Sequence, residues 1–267
     1  MTNVLHHQPA EARPLPRIAG VVSDLDGVVF RGDVAIDTAV TAFAAWARRG
    51  IPYCFVTNNS TRSPQSVAQK LNAMGVAVYA DRVITSTDAA LRILHARWPQ
   101  GGTAYVIGAP ALAQAVEAAG FAPADSAADC VVVGLDRSFT YDKLDKAARL
   151  VRAGAVLVGT NPDPMIPSPS GFDPGCGSIL AAVATAAGAT PIIAGKPERP
   201  LIDAAIDRLG VPRASIVMLG DQVSTDIVAG QRAGLFSILV RTGVPAPAHP
   251  VAVPDLTVDD LSALPQD

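Results

Sequence analysis

The sequence predicts an α/β fold: a doubly wound, parallel-sheet, Rossmann-like core carrying an inserted α/β cap domain. Three observations predict it. Short apolar runs recur along the chain (VVSD, YCFVTNN, AYVIGA, CVVVGLD, VLVGTN, IIAGK, IVMLGD, SILVRTG), continuous rather than alternating, as parallel strands covered on both faces are. Between them lie helix-like segments, IDTAVTAFAAWARRG, SPQSVAQKLNAMG, TYDKLDKAARLVRAG and ERPLIDAAIDRLG, each closing on a glycine near the position of a helix C-terminus. Alternation of the two signals implies βαβ units. Finally, well over a hundred residues separate TNNS from GKP, too many for one crossover.

From the N-terminus, residues 1–17 (MTNVLHHQPAEARPLPR) have no apolar stretch between basic flanks and are interrupted by proline. They read as a flexible leader rather than a signal peptide, with His6 and His7 solvated. Residues 18–84 hold one strand ending at DLDG (Asp24 to Gly27) and another ending at TNNSTRSP. Residues 85–188 carry strand and helix signals of their own and make the inserted cap. Its stretch GTNPDPMIPSPSGFDPGCGS, Gly159 to Ser178, is rich in Pro, Gly and Ser and reads as a loop. Residues 189–267 resume the core, with GKPERP and GDQVSTDI following two further apolar runs. Doubly wound sheets bind ligands beyond the carboxyl ends of their strands, so the polar residues after each run carry the functional question.

Composition narrows the classes. A chain of 267 residues with formal net charge −3 has no electrostatic footprint for nucleic acid or an anionic membrane. The longest weakly charged run, SILAAVATAAGATPIIAG, is broken by Gly188 and Pro191 and falls short of a membrane span. Cys54, Cys130 and Cys176 are an odd, widely spaced set without a CxxC pair, so neither a disulfide framework nor a zinc site is expected, and a cytoplasmic location is the default.

Four strand-end stretches hold the chemistry: DLDG, VTNNSTRSP, GKPERP and GDQVSTDI. They bring carboxylates, hydroxyl and amide donors, one lysine, then carboxylates again. Carboxylates gathered at neighbouring strand ends repel unless a cation sits among them. Oxygen ligands without a His or Cys cluster point to Mg²⁺. Asp24 and Asp26, two apart on extended chain, face the same way, and Gly27 lets the backbone turn off without a side chain crowding the site.

These motifs, in this order, resemble the haloacid dehalogenase-like phosphatases. TNNSTRSP, VVVGLDRSFTYDKL, VGTNPD and PGCGS resemble the large-capped type IIA branch, which includes p-nitrophenyl phosphatase-like and phosphoglycolate phosphatase-like enzymes. The resemblance implies a phosphoric monoester hydrolase acting on a small phosphorylated metabolite. It makes Asp24 the nucleophile that forms an aspartyl-phosphate, and Asp26 the general acid and then base. It places Mg²⁺ on the Asp24 and Asp221 carboxylates and the Asp26 carbonyl, with Asp226 standing behind them. It assigns Thr57, Asn58 and Asn59 to phosphate binding and Lys196 to charge neutralisation. Two roles stay open on the residues alone: Thr57 and Asn58 can also cap the helix near Ser63, and Asp226 can serve a helix N-terminus instead of the metal. Capped relatives often form dimers through the cap, so the resemblance leaves a homodimer through the cap open, and the sequence itself does not give the oligomeric state. A phosphotransferase on the same core and a non-catalytic phospholigand-binding protein are the rival readings.

Overall fold

The computed structural model describes residues 13–168, 171–245 and 249–265. Residues 1–12, with His6 and His7, and residues 169–170 of the Gly159 to Ser178 stretch lie outside the described residues. The chain begins β1 (Gly20–Ser23), a small hairpin β2 (Phe30–Arg31) and β3 (Val34–Ala35), α1 (Asp37–Arg48), β4 (Tyr53–Thr57), α2 (Pro64–Ala73), β5 (Val83–Thr85) and α3 (Ser86–Arg97). It continues with β6 (Gly102–Ile107), α4 (Pro110–Ala118), β7 (Phe121–Pro123), β8 (Cys130–Val133), α5 (Tyr141–Arg152) and β9 (Val156–Gly159). A second hairpin, β10 (Met165–Ser168) and β11 (Gly171–Pro174), precedes α6 (Cys176–Ala187) and β12 (Ile192–Ile193). The last elements are α7 (Arg199–Leu209), β13 (Ile216–Gly220), α8 (Val228–Arg232), β14 (Phe236–Val240) and β15 (Leu256–Val258).

Two parallel sheets result. One has six strands in the order β15-β14-β13-β1-β4-β5, the other five in the order β12-β9-β8-β6-β7. The apolar runs became strands because their residues are buried on both faces: β1, β4, β13 and β14 are buried at every position. Helix starts are set locally. Ser63 accepts a hydrogen bond from Ser66 N with Pro64 at the first helical position, and Thr85 and Asp88 form a reciprocal capping box at α3.

The two faces of the six-stranded sheet differ. On one, α1 buries Ala39, Ala42, Phe43 and Trp46, with Phe43 edge-on to Trp46 at 5.2 Å and to Tyr53 at 5.1 Å between ring centroids. On the other, Val22, Val56 and Met218 join Ala89, Ala90 and Leu94 of α3, and the same apolar cluster runs on to Ala104, Val132 and Val158 of the second sheet. The inserted segment is therefore joined to the core through a shared dry cluster as well as by its connecting chain.

One strand departs from its expected place. The sequence places IIAGK in the resumed core from residue 189, but Ile192 and Ile193 pair with Val158 and Gly159, in the second sheet. The backbone ladder continues past the strand, Ala194 N to Gly159 O at 2.9 Å and Gly195 N to Thr160 O at 2.8 Å. The chain thus approaches Lys196 from the second sheet. Among the described residues no helix is long and apolar enough to cross a membrane.

Phe43 is fully buried and contacts three aromatic rings, so Phe43→Ala is expected to destabilise the protein by about 3–5 kcal/mol, read as a lower urea midpoint at unchanged slope.

Candidate active site

The strands β13, β1 and β4 are neighbours, and their carboxyl ends deliver Asp221, Asp24 and Thr57 to one place. Lys196 reaches the same place from beyond β12. After β13 the backbone makes a wide π-helical turn, Val223–Ile227, which aims Asp226 back at the strand end. Gly220 makes room for it, because a Cβ there would collide with Asp226.

The Lys196 ammonium donates to Asp24 Oδ1 and to Asp226 Oδ1, both at 2.7 Å, with all three side chains buried. Asp226 spends its second oxygen on Gln222 N at 3.0 Å. Asp221 Oδ2 accepts from Val244 N at 2.8 Å, whereas its Oδ1 is buried with no hydrogen-bond partner. Gly27 and Gly243 pack directly against this carboxylate, and a side chain at either would run into it. Oxygens of Asp24, Asp221 and Asp226 all lie within 4.8 Å of one another.

Three buried carboxylates around one ammonium leave negative charge in excess. Burial pushes Asp24 well above the ordinary carboxylate range; Lys196 pulls it down, and Asp226 and Asp221 push it further up. Burial and the Asp226 charge push Asp221 up to about 6. Burial alone would lower Lys196, but Asp226 and Asp24 outweigh it and raise the ammonium above its ordinary value. The surplus charge, the all-oxygen donor set and the orphaned Asp221 oxygen fit a hard divalent cation. Asp226 has both oxygens hydrogen-bonded, Oδ1 to the Lys196 ammonium and Oδ2 to Gln222 N.

Asp26 lies just past β1, its backbone bridged to Phe30. Its side chain reaches solvent, yet the protein around it displaces enough water to raise its carboxyl above the ordinary value, against the pull of Lys70, Lys196 and Arg62. Thr57 Oγ1 accepts from Asn59 N at 3.1 Å, and Asn59 Oδ1 accepts from Thr61 N and Oγ1, so this loop is shaped by its own side chains before α2 begins. Asn58 turns away from solvent. Its Nδ2 donates to Lys196 O and to Asp163 Oδ2, each at 2.9 Å, and its Oδ1 accepts from Lys196 N at 2.8 Å. The Asn58 side chain therefore has no donor left, and only its backbone can serve a ligand.

Asp163 and Asn161, both in GTNPD, join the site although the sequence pattern does not mark them. Asn161 Nδ2 donates to Asn58 O at 2.7 Å, and buried Thr160 meets Ser60 at 3.3 Å. A recurrence of small polar residues in two distant loops was the available signal, but nothing in one sequence says that the loops touch. Cys176 is buried against Thr160 and the Val133 carbonyl, with its thiol raised by burial, as suits a packing residue.

Comparison with known proteins matches these features. A family model described as haloacid dehalogenase-like hydrolase covers residues 21–122, and a second, HAD-hydrolase-like model covers residues 193–264. An acid sugar phosphatase of Staphylococcus saprophyticus is 40% identical over 222 residues, 83% of this chain and 85% of that one. The 5'-nucleotidase YutF of Bacillus subtilis is 37% identical over 230 residues, 86% and 90% of the two chains. A crystal structure of a double mutant thermostable NPPase from Geobacillus stearothermophilus superposes with TM-score 0.88 at 37% identity, covering 94% of this chain and 99% of that one.

The charge surplus has a measurable consequence. With Asp221 raised from 3.8 to about 6, the cation-free native state holds more protons than the unfolded chain in that window. Stability in a chelator is thus expected to fall as pH rises from about 4 to 7, and Asp221→Asn is expected to flatten the fall by up to about 3 kcal/mol, measured as denaturant midpoints across pH.

Proposed function

The chain belongs to the haloacid dehalogenase-like hydrolases, in the large-capped type IIA branch, and from that premise we propose that it is a Mg²⁺-dependent phosphatase of small phosphomonoesters working through an aspartyl-phosphate on Asp24. The observation that supports it most is the Lys196 ammonium held 2.7 Å from Asp24 beside an Asp221 carboxylate with one oxygen unpaired. Relatives named as acid sugar phosphatase, 5'-nucleotidase and NPPase support phosphomonoester hydrolysis and span sugar and nucleotide leaving groups.

In this mechanism Asp24, one oxygen held by Lys196, attacks phosphorus with the other, and the ester bond to the leaving oxygen breaks. Asp26 gives that oxygen its proton; its raised carboxyl suits it to be protonated at the start of the cycle. Asp26 then takes a proton from water, which attacks phosphorus and returns Asp24 as a carboxylate with release of phosphate. Lys196 and the backbone N–H groups of the loop after β4 hold the phosphoryl oxygens, and Asp226 keeps the ammonium in place. Asp24, Asp221 and the Asp26 carbonyl would hold Mg²⁺, which supplies the positive charge that lets a phosphate dianion approach these carboxylates. In this reading the segment from residue 85 to 188 acts as a cap that covers the site.

Asp24→Asn is expected to lose at least about a thousandfold in turnover of p-nitrophenyl phosphate, and Asp26→Asn about 10²–10⁴-fold, both with native circular dichroism. Chelation is expected to abolish phosphate release in the wild type and Mg²⁺ to restore it, read by inorganic phosphate assay over a panel of sugar phosphates and nucleotides. Full turnover by Asp24→Asn would refute the nucleophile.

A further inference from the structure

Asn58 is the point where three separate pieces of chain meet. It follows β4 in the core; Lys196 follows β12 of the second sheet; Asp163 lies on the loop after β9, also of the second sheet. One carboxamide joins them, with both donors and its acceptor used: Lys196 N and O on one side and the Asp163 carboxylate on the other. Bonding the N–H and the C=O of a single residue fixes the two peptide planes that flank it, here 195–196 and 196–197. The residue so fixed is the one whose ammonium sits between Asp24 and Asp226.

The surroundings leave the amide little freedom. A Cβ on Gly195 would strike Asn58 Oδ1 and the Thr160 carbonyl, so the backbone before Lys196 lies directly against the amide. Asn58 O accepts from Ser86 Oγ at 2.8 Å and from Asn161 Nδ2 at 2.7 Å, which pins the main chain of Asn58 while its side chain holds Lys196. Asp163 is the one partner of the amide that is a side chain of the inserted segment. Its bond takes the second Nδ2 hydrogen and so anchors, from the inserted segment, the amide orientation that the Lys196 N–H and C=O require.

We propose that Asp163 is a positioning residue: by holding the Asn58 amide it sets the Lys196 backbone, so that seating of the loop after β9 against the core places the ammonium for phosphoryl transfer. Asp163 touches neither the phosphoryl group nor the leaving group in this account. The proposal rests on the phosphatase reading, and it assigns to a residue of the inserted segment an effect on the chemical step rather than on leaving-group recognition. A shift of the ammonium by about 1 Å suffices for a loss of ten- to a hundredfold in rate.

The test is steady-state kinetics of the full-length Mg²⁺-loaded wild type, Asp163→Ala and Asp163→Asn on p-nitrophenyl phosphate, with hydrogen exchange of the peptide containing Lys196 read on the same samples. Asp163→Ala is expected to lower kcat about tenfold with KM within threefold, and to speed exchange of the Lys196 amide, which Asn58 Oδ1 accepts. Asp163→Asn keeps an acceptor oxygen for Asn58 Nδ2 and is expected to return kcat to within threefold of wild type and exchange to the wild-type rate. Unchanged kcat and exchange in Asp163→Ala would overturn the proposal. So would a loss confined to KM, which would put Asp163 on the substrate, and so would an Asp163→Asn variant no better than alanine. A wild type that turns over no phosphate ester would instead remove the phosphatase reading, while the exchange measurement would still decide whether Asp163 holds the Lys196 backbone.

Discussion

A buried ammonium shared by two carboxylates, with a third carboxylate left over, is the constraint around which this molecule is arranged. Lys196 makes two bonds of 2.7 Å in a place where little water remains, so neither Asp24 nor Asp226 can move without stranding a charge. Removing one partner of such a set is far more costly than the set itself is stabilising. The arrangement is therefore poor as a device for stability and good as one for holding geometry. Its surplus negative charge is what makes a divalent cation fit there.

Several backbone features exist to make that packing possible. Gly27 and Gly243 give way to the Asp221 carboxylate, Gly220 to Asp226 and Gly195 to Asn58. Gly27 has φ of 77°, where a side chain would add strain to the collision. The π-helical turn after β13 widens the first turn of what would otherwise be an ordinary helix and lets Asp226 reach Lys196. Each is local, and each is aimed at the same cluster.

Much of this was legible in the sequence for a physical reason. The eight apolar runs became strands, and in β1, β4, β8, β13 and β14 burial on both faces writes itself as an unbroken apolar run, while the helices ended near the glycines that mark them. The placement of Asp24, Asp221 and Thr57 at strand ends was legible because each follows directly on an unbroken apolar run. Less legible was everything decided by which distant segments touch. IIAGK reads as a strand but not as a strand of the second sheet, because periodicity carries no partner information. Asn58 reads as a phosphate-binding amide by its motif, yet its side chain is spent on Lys196 and Asp163, which only the fold brings near. The short hairpins β2–β3 and β10–β11 gave no usable period at all.

Whether the carboxylate surplus at Asp24 and Asp221 is a cation site is decided by calorimetric titration of the chelator-stripped protein with Mg²⁺ near pH 6, in buffers of different ionisation enthalpy. One Mg²⁺ per chain is expected to bind with release of protons, because Asp221, raised to about 6, must give up its proton to bind, and that binding is expected to be lost in Asp221→Asn. Absence of Mg²⁺ binding in the wild type, or binding that Asp221→Asn leaves unchanged, would contradict a cation site there.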